Sequence, residues 1–399
     1  MPNAYTSTGS TTLGGTVGGA GLVQKAYDRL LEFALRAEPL IRSVADKTPA
    51  QQSIPGSTVV LQKYVDLNAV TDTLTETVDP DSVALSTPNT VTITLNEYGN
   101  SVLVTRALEL FSLADVDPAI ANVIAFNLAD SIDKVAMTTL NGGTNVIYGG
   151  STATSTATIT AAATLDSADI RRAVAKLRSA KAAYRKGSLY WTGIHPEVSH
   201  DLRAETGASG WRDPHNYSDV DKIYAGEIGQ YEGAFFVESP RLFSTKSGAD
   251  QTALATTTAT VAGTSAGFTL GVAASSVIGQ RAEVGDKISG TGIASGAKIT
   301  AVSVSGATET ITVDLAHTAA VTVGATITVT PVTRVYSTIV CGKQALAQAV
   351  AEEPHVVIGP VVDKLMRFRP MGWYGVLGFA RYREEALYRI ETGSSIGAL

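Results

Sequence analysis

The spacing of apolar positions changes several times along this chain, and each change marks an element. Val91, Ile93 and Leu95 alternate with Thr92 and Thr94, which puts apolar groups on one face and hydroxyls on the other and predicts a strand over Thr90–Leu95. Thr58–Val65 reads the same way, and Val102–Thr105 continues the β pattern after a Tyr98-Gly99-Asn100 turn. The spacing then lengthens. Ile120, Ile124, Leu128, Ile132 and Val135 recur at three and four residues, the stripe of an amphipathic helix. Asp117-Pro118 supplies a cap and a first-turn proline, and Gly142-Gly143 the stop. A helix is expected over 115–141, and the part from Pro118 onward would be roughly 35 Å long, enough for the spine of a domain.

A shorter helix is expected over Leu22–Val44, with Leu22, Ala26, Leu30, Phe33 and Ala37 in register and Pro39 limiting it. Another is expected over Asp169–Tyr184, with Ile170, Val174, Leu177 and Tyr184 inward and Gly187 ending it. A strand at Leu189–Thr192, a short helix opened by His195-Pro196 and a strand at Ala234–Glu238 follow. This is mixed α/β order without the regular repetition of a doubly wound sheet.

Three segments break the pattern. Thr6–Ala20 is Gly, Ser and Thr with scattered small apolar residues, a flexible arm that no local core could hold. Between the first two strands lie roughly 24 polar and acidic residues, longer than compact domains tolerate without a functional reason. Such a hairpin has too little apolar surface to fold on itself and is expected to lie on another molecule. From about Thr245 to Pro331 the chain is nearly all Thr, Ala, Val, Gly, Ser and Ile, with Phe268 its one aromatic residue. Short alternating runs at Phe268–Val272, Ala297–Val304, Thr308–Leu315 and Val321–Thr330 predict a small all-β module. Its flanks, Phe235–Phe243 and Val335–Val340, read as core strands, so it looks inserted into a host domain.

Composition narrows the function. With 399 residues the chain can bury a sizeable core, yet only 17% are charged and the mean hydropathy is +0.13, so much of its surface is expected to be interface. A net charge of −6 argues against a dedicated nucleic-acid binder, because phosphate affinity needs surplus Lys and Arg. The single cysteine, Cys341, excludes an internal disulfide framework and reads as a small buried apolar residue. Met1–Ser10 has neither a basic start nor an apolar core, so a cytosol-like compartment is expected. No apolar run approaches a membrane span, and Asn216-Tyr217-Ser218 matches a glycosylation acceptor only by chance.

Catalytic patterns are weak. Gly263-Thr264-Ser265-Ala266-Gly267 matches a nucleophile elbow, but β-type sequence follows where a helix is needed. Gly290, Gly292 and Gly296 miss phosphate-loop spacing and read as turn glycines. His195 and His200 are five residues apart and point away from each other on a helix; His215, His317 and His355 are isolated. The pairs Asp79/Asp81 and Asp219/Asp221 have no apolar surroundings to separate their pKa values. No catalytic residue, cofactor or metal is expected.

Charge patterning gives the sharper expectation. Residues 66–97 carry six acidic groups, Asp66, Asp72, Glu76, Asp79, Asp81 and Glu97, and no basic one. Residues 167–187 carry seven basic groups, Arg171, Arg172, Lys176, Arg178, Lys181, Arg185 and Lys186, against Asp169. A solvated helix face is the plain reading; the alternative is that the basic helix receives the acidic loop of a neighbouring copy.

The order of segments, together with Val59-Val60-Leu61-Gln62-Lys63-Tyr64, Leu74-Thr75-Glu76, Val91–Gly99, Cys341-Gly342-Lys343-Gln344-Ala345-Leu346 and Gly372-Trp373-Tyr374-Gly375, resembles the major capsid proteins of tailed phages, the Hong-Kong-97-type coat fold. More narrowly it is similar to the subfamily named after an N-four coliphage coat protein. The resemblance implies an α+β chain with an N-terminal arm and helix (1–54), an E-loop hairpin (55–104), a P-domain (105–187), an A-domain in two parts (188–244 and 334–365) around an inserted all-β surface domain (245–333), and a C-terminal return to the P-domain (366–399). That module is a departure from the family, with Val284–Ile293 its clearest phrase.

The implied partners are further copies in hexamers and pentamers, portal and scaffolding proteins and a decoration protein. DNA is enclosed without sequence-specific binding, no membrane is involved, and the location is a virion capsid built in the host bacterial cytoplasm. Some coat proteins of this fold cross-link through Lys and Asn; Lys63 is the weak candidate here, and no cross-link is assumed. A tail, adhesin or carbohydrate-binding protein with a β-sandwich module, or an enzyme with a β accessory domain, are the alternatives.

Overall fold

The computed structural model describes residues 40–49, 57–64, 67, 69–71, 73–74, 76–77, 79, 82–84, 89–106, 116–150, 153–205, 229–254, 256–360, 365 and 367–396. Of these, Tyr98–Leu128 and Pro354–Gly375 belong to a smaller compact unit, and the rest to a larger one. The helix expected over Leu22–Val44 lies outside the described residues except at its end, where Ile41–Val44 is a short 3-10 turn.

A seven-stranded mixed sheet forms the centre of the larger unit. Its order is β5 (Val146–Tyr148), β19 (Leu387–Thr392), β16 (Val332–Cys341), β6 (Tyr190–Ile194), β8 (Ala234–Glu238) and β7 (Gln230–Tyr231), with β9 (Ser244–Asp250) also paired to β16. Strands from both sides of the expected 187/188 boundary therefore share one sheet. Both faces are covered, so β16 is buried at nearly every position rather than at alternate ones. On one face, Tyr190, Ile194, Phe236 and Val340 pack against helices α2 (Ser167–Ser179) and α3 (Pro196–Ala204). On the other, Trp191, Ile339 and Cys341 pack against Ile41, Val44 and the last turns of α1 (Val116–Asn141).

Helix α1 follows the predicted stripe, and its end is capped from outside. Its last turn carries no basic residue. The Arg381 guanidinium donates to the Thr139 carbonyl at 2.9 Å and Arg389 donates to that of Asn141, cations placed where the helix dipole favours them.

Helix α2 is shorter than expected. Lys181 takes a left-handed φ of 54°, and the Ala182 and Lys181 N–H groups return to the Leu177 and Arg178 carbonyls, a Schellman stop that normally recruits glycine. Ile170, Val174 and Leu177 are buried as predicted. Tyr184 is not: it lies beyond the helix, 41% exposed, with its ring 4.9 Å from that of Tyr190.

At the start of α2, Asp166 accepts from the Asp169 N–H at 2.8 Å, while the Asp169 side chain is itself 3% exposed. Burial, and then the Asp166 charge, push the Asp169 carboxyl up to about 6. A carboxyl held above its unfolded value binds its proton more tightly in the folded chain, so this contribution is complete below about pH 4 and is lost as pH rises through 6. Asp169→Asn should match the parent in thermal melts at pH 4 and exceed it at pH 7.5, by on the order of 2 kcal/mol. Equal melting at both pH values would remove the explanation.

In the smaller unit β4 (Asn96–Thr105) runs unbroken, so the turn expected at Tyr98-Gly99-Asn100 is absent. Glycine is needed there for close approach instead: a Cβ on Gly99 would lie 2.8 Å from the Trp373 carbonyl oxygen on β18 (Phe368–Arg381). Trp373 packs with Val104, Ile124 and Met371, and its indole N–H donates to Asn127 at 2.9 Å.

The inserted module is a six-stranded antiparallel structure with its own core. Strands β10 (Thr257–Val261), β11 (Thr269–Ala273), β12 (Lys287–Gly290), β13 (Ile299–Ser305), β14 (Thr308–Val313) and β15 (Thr326–Thr330) lie in the order β12-β15-β10-β11-β14-β13. Counted within the module, first, second, fifth and fourth strands are neighbours, as are third and sixth, the ABED and CF pairings of an immunoglobulin-type sandwich. The sequence reading missed β10, β12 and the short α4 (Val277–Arg281). It also set the boundary too wide. Ser244–Asp250 pairs with Val332–Tyr336 inside the host sheet, so the module proper begins after Asp250 and ends before Val332.

Candidate assembly surfaces

The acidic hairpin is rooted on the body by apolar packing and one ion pair. Strands β2 (Thr58–Lys63) and β3 (Asn89–Thr94) pair antiparallel from Thr58↔Thr94 to Lys63↔Asn89. Ile93 is fully buried and packs with Val59, Leu61 and Leu95 against Ala347 and Ala349 of β17 (Leu346–Ile358). The Lys63 ammonium contacts both Glu385 carboxylate oxygens at 2.9 and 3.0 Å, and the Tyr382 hydroxyl donates to the Gln62 carbonyl.

Beyond this root the side chains leave the body. Tyr64, Leu67, Val70, Leu74 and Val83 are exposed, Val70 to 80%. Glu76 and Asp79 are exposed as well, whereas Asp66, Asp72 and Asp81 lie outside the described residues. A row of open apolar groups beside open carboxylates is unfavourable in water and favours a covering surface.

The basic residues fall into two groups. Arg171, Arg172, Lys176, Arg178 and Lys181 are exposed; Arg172 makes a 3.6 Å pair with Asp169. Arg185 departs from the expectation. It is 16% exposed and committed within the chain, 3.3 Å from the Asp46 carboxylate and donating to the Ser43 carbonyl at 3.1 Å. It ties down the segment that carries β1 (Asp46–Pro49), which runs parallel to β17. Nothing in its local sequence separates Arg185 from Lys181; only the distant Asp46 does.

Several of the residues weighed for catalysis make structural contacts, whereas His215, Asp219 and Asp221 lie outside the described residues. His195 caps α3, its Nδ1 accepting from the Glu197 N–H at 3.3 Å; Glu197 accepts from the Tyr336 hydroxyl; His200 lies 3.3 Å from Asp201. Ser265 sits exposed on the connection from β10 to β11, and Gly292 and Gly296 occupy positive-φ turns. Burial pushes the Cys341 thiol up to about 12, well away from a reactive thiolate. Among the described residues no group of His, Cys, Asp and Glu could hold a metal ion, and no helix is long and apolar enough to cross a membrane.

Two polar clusters, each built around a buried aspartate, gave no signal in sequence. Asp133 on α1 accepts from the Ile41 and Arg42 N–H groups at 2.7 and 3.0 Å and lies 3.5 Å from Arg241, which also contacts Asp130. Lys246, Glu283 and Asp286 form the second, at the root of the inserted module.

The profile of a family described as phage capsid protein matches residues 37–395. Among solved structures, the chain is similar to one in the cyanophage Pam1 capsid asymmetric unit, with 11% identity and a TM-score of 0.60 over 96% of this chain and 100% of that one. It is similar to the capsid of Ralstonia phage GP4, with 13% identity and a TM-score of 0.56 over 96% and 98%. A chain of Mycobacterium phage Che8 gives 14% identity and a TM-score of 0.54 over 92% and 96%. No curated protein sequence matches. At such identities the likeness establishes the fold, which is of Hong-Kong-97 type.

Proposed function

This chain belongs to the phage capsid protein family, and from that premise we propose that it is the major capsid protein of a tailed phage whose copies join by seating each acidic hairpin on the exposed basic face of α2 in a neighbour. The observation that carries this is complementary exposure: open carboxylates and apolar groups beyond Lys63, and five open cations from Arg171 to Lys181. Hexamers and pentamers then arise from many weak contacts made at once, so affinity comes from simultaneous engagement. The shell encloses double-stranded DNA without reading its sequence, in line with the net charge of −6.

We assign the hairpin to the E-loop, α1 to the P-domain spine and the seven-stranded sheet to the A-domain, and the quoted motifs support the N-four-type subfamily. Portal and scaffolding proteins, and a decoration protein, are the further partners, and assembly takes place in the host bacterial cytoplasm. The inserted module points outward, where a tiled subunit has room for it. Lys63 is engaged by Glu385, which supports a shell without a cross-link at that lysine.

The test is charge reversal. Changing Arg171, Lys176 and Arg178 together to glutamate should abolish shells in electron micrographs while circular dichroism and the monomer's melt stay unchanged, and parent assembly should weaken with added salt as the Debye length shrinks. Normal shells from the triple variant would refute the pairing.

A further inference from the structure

The inserted module is joined to its host by two chain crossings, an arrangement that would ordinarily let it swing. Here both crossings are tied together and to the module. Strands β9 and β16 are zipped as far as Val332↔Asp250, and beyond them the Gln251 N–H donates to the Pro331 carbonyl and the Leu254 N–H to that of Val329. Lys246 projects from β9 into the module, 11% exposed, with its ammonium 2.6 Å from Asp286 and 2.8 Å from Glu283. Asp286 is 1% exposed, and the oxygen that takes Lys246 also accepts from the Val332 N–H on the returning strand. One buried carboxylate thus holds both crossings.

Three neighbouring observations point the same way. The second Asp286 oxygen accepts from the Glu283 N–H at 3.1 Å, which fixes the module's basal turn. Lys287 pairs with Asp250 at 2.7 Å, module to host, and Arg334 lies 3.5 Å from Glu283. Gly285, at φ +98°, lets the turn cross directly over the lysine stem, since a Cβ there would lie 2.9 Å from that of Lys246. A polar cavity of about 430 Å³ opens beside this cluster, lined by Gln251, Arg281 and Tyr336 among others. Most of its charged groups are already engaged in these pairs.

We infer that the module is bolted rather than tethered, with Lys246 setting its orientation on the host sheet. The consequence in a shell is geometric. Every copy presents the module in the same pose, so a multivalent partner meets a regular array instead of a set of loose domains. The inference concerns one subunit and does not depend on which surfaces join copies.

Hydrogen exchange on the full chain tests it. Lys246→Met takes the cation away from the buried Asp286 carboxylate; the amides of Gln251, Leu254 and Val332 should exchange roughly a hundredfold faster, while those in β11 and β14 keep their protection, because only the mount has opened. Lys246→Arg should keep most of the linker protection. Unchanged linker exchange in Lys246→Met would overturn the proposal, as would equal loosening of β11 and β14, which would make Lys246 a residue of module stability. If Lys246→Met does not fold, Glu283→Gln takes its place with about a tenfold linker effect expected, and no effect there counts against the bolt. Failure of the parent chain to form shells would sink the assembly reading and leave this one standing.

Discussion

Asp133→Ala should destabilise the subunit by about 3–5 kcal/mol, the cost of removing one member of a buried charged pair. Asp133 is 2% exposed on α1 and serves three partners, the Ile41 and Arg42 N–H groups and the Arg241 guanidinium. Burial pushes the Asp133 carboxyl up, against the backbone N–H groups that favour its charged form, and pushes the Arg241 guanidinium down. The alanine variant strands two backbone donors, each costly to leave unmet, and takes one carboxylate away from Arg241. Asp133→Asn retains one carbonyl oxygen for those donors and should lose markedly less. Urea denaturation of unassembled subunits would rank the two; equal midpoints for Asp133→Ala and the parent would show that the latch contributes nothing.

Gly378→Val should cost roughly 3 kcal/mol and lift the hairpin root from the body. A Cβ on Gly378 would lie 2.2 Å from the Thr94 carbonyl oxygen and 2.9 Å from the Ile93 side chain. The obstruction is β3 backbone, which cannot swing aside as a flexible side chain could. Amide protection in β2 and β3 should fall selectively, and shell yield with it, because the hairpin would leave the body at the wrong angle to reach a neighbour. Parent-like protection at Ile93 in this variant would mean that β18 can shift to admit the side chain.

These two sites also mark where sequence reading stops. A helix over 115–141, a hairpin on either side of an acidic stretch and an all-β insertion were all legible, because each is set by the period of apolar residues within one short window. The stops and turns were less so. Lys181 ends α2 where Gly187 was expected, and Gly99 sits within a strand where a turn was expected. In both places the deciding partner is distant or unusual: a non-glycine residue in a left-handed conformation, and the Trp373 carbonyl of another strand. Arg185 shows the same limit at the candidate interface, since an exposed cation and a buried one look alike until Asp46 is brought beside it.

Alone, the sequence determined the kind of each element, the separate core of the insertion and the opposite charges of loop and helix. Those depend on local periodicity and composition, which survive in any fold the chain adopts. Only the tertiary structure decided that β16 is covered on both faces, that Asp133 latches Ile41 to α1, and that Lys246 and Asp286 close the root of the module. Each of these joins residues far apart in the chain, and the energy of a buried charge or a close backbone approach is defined only once both partners have been brought into place.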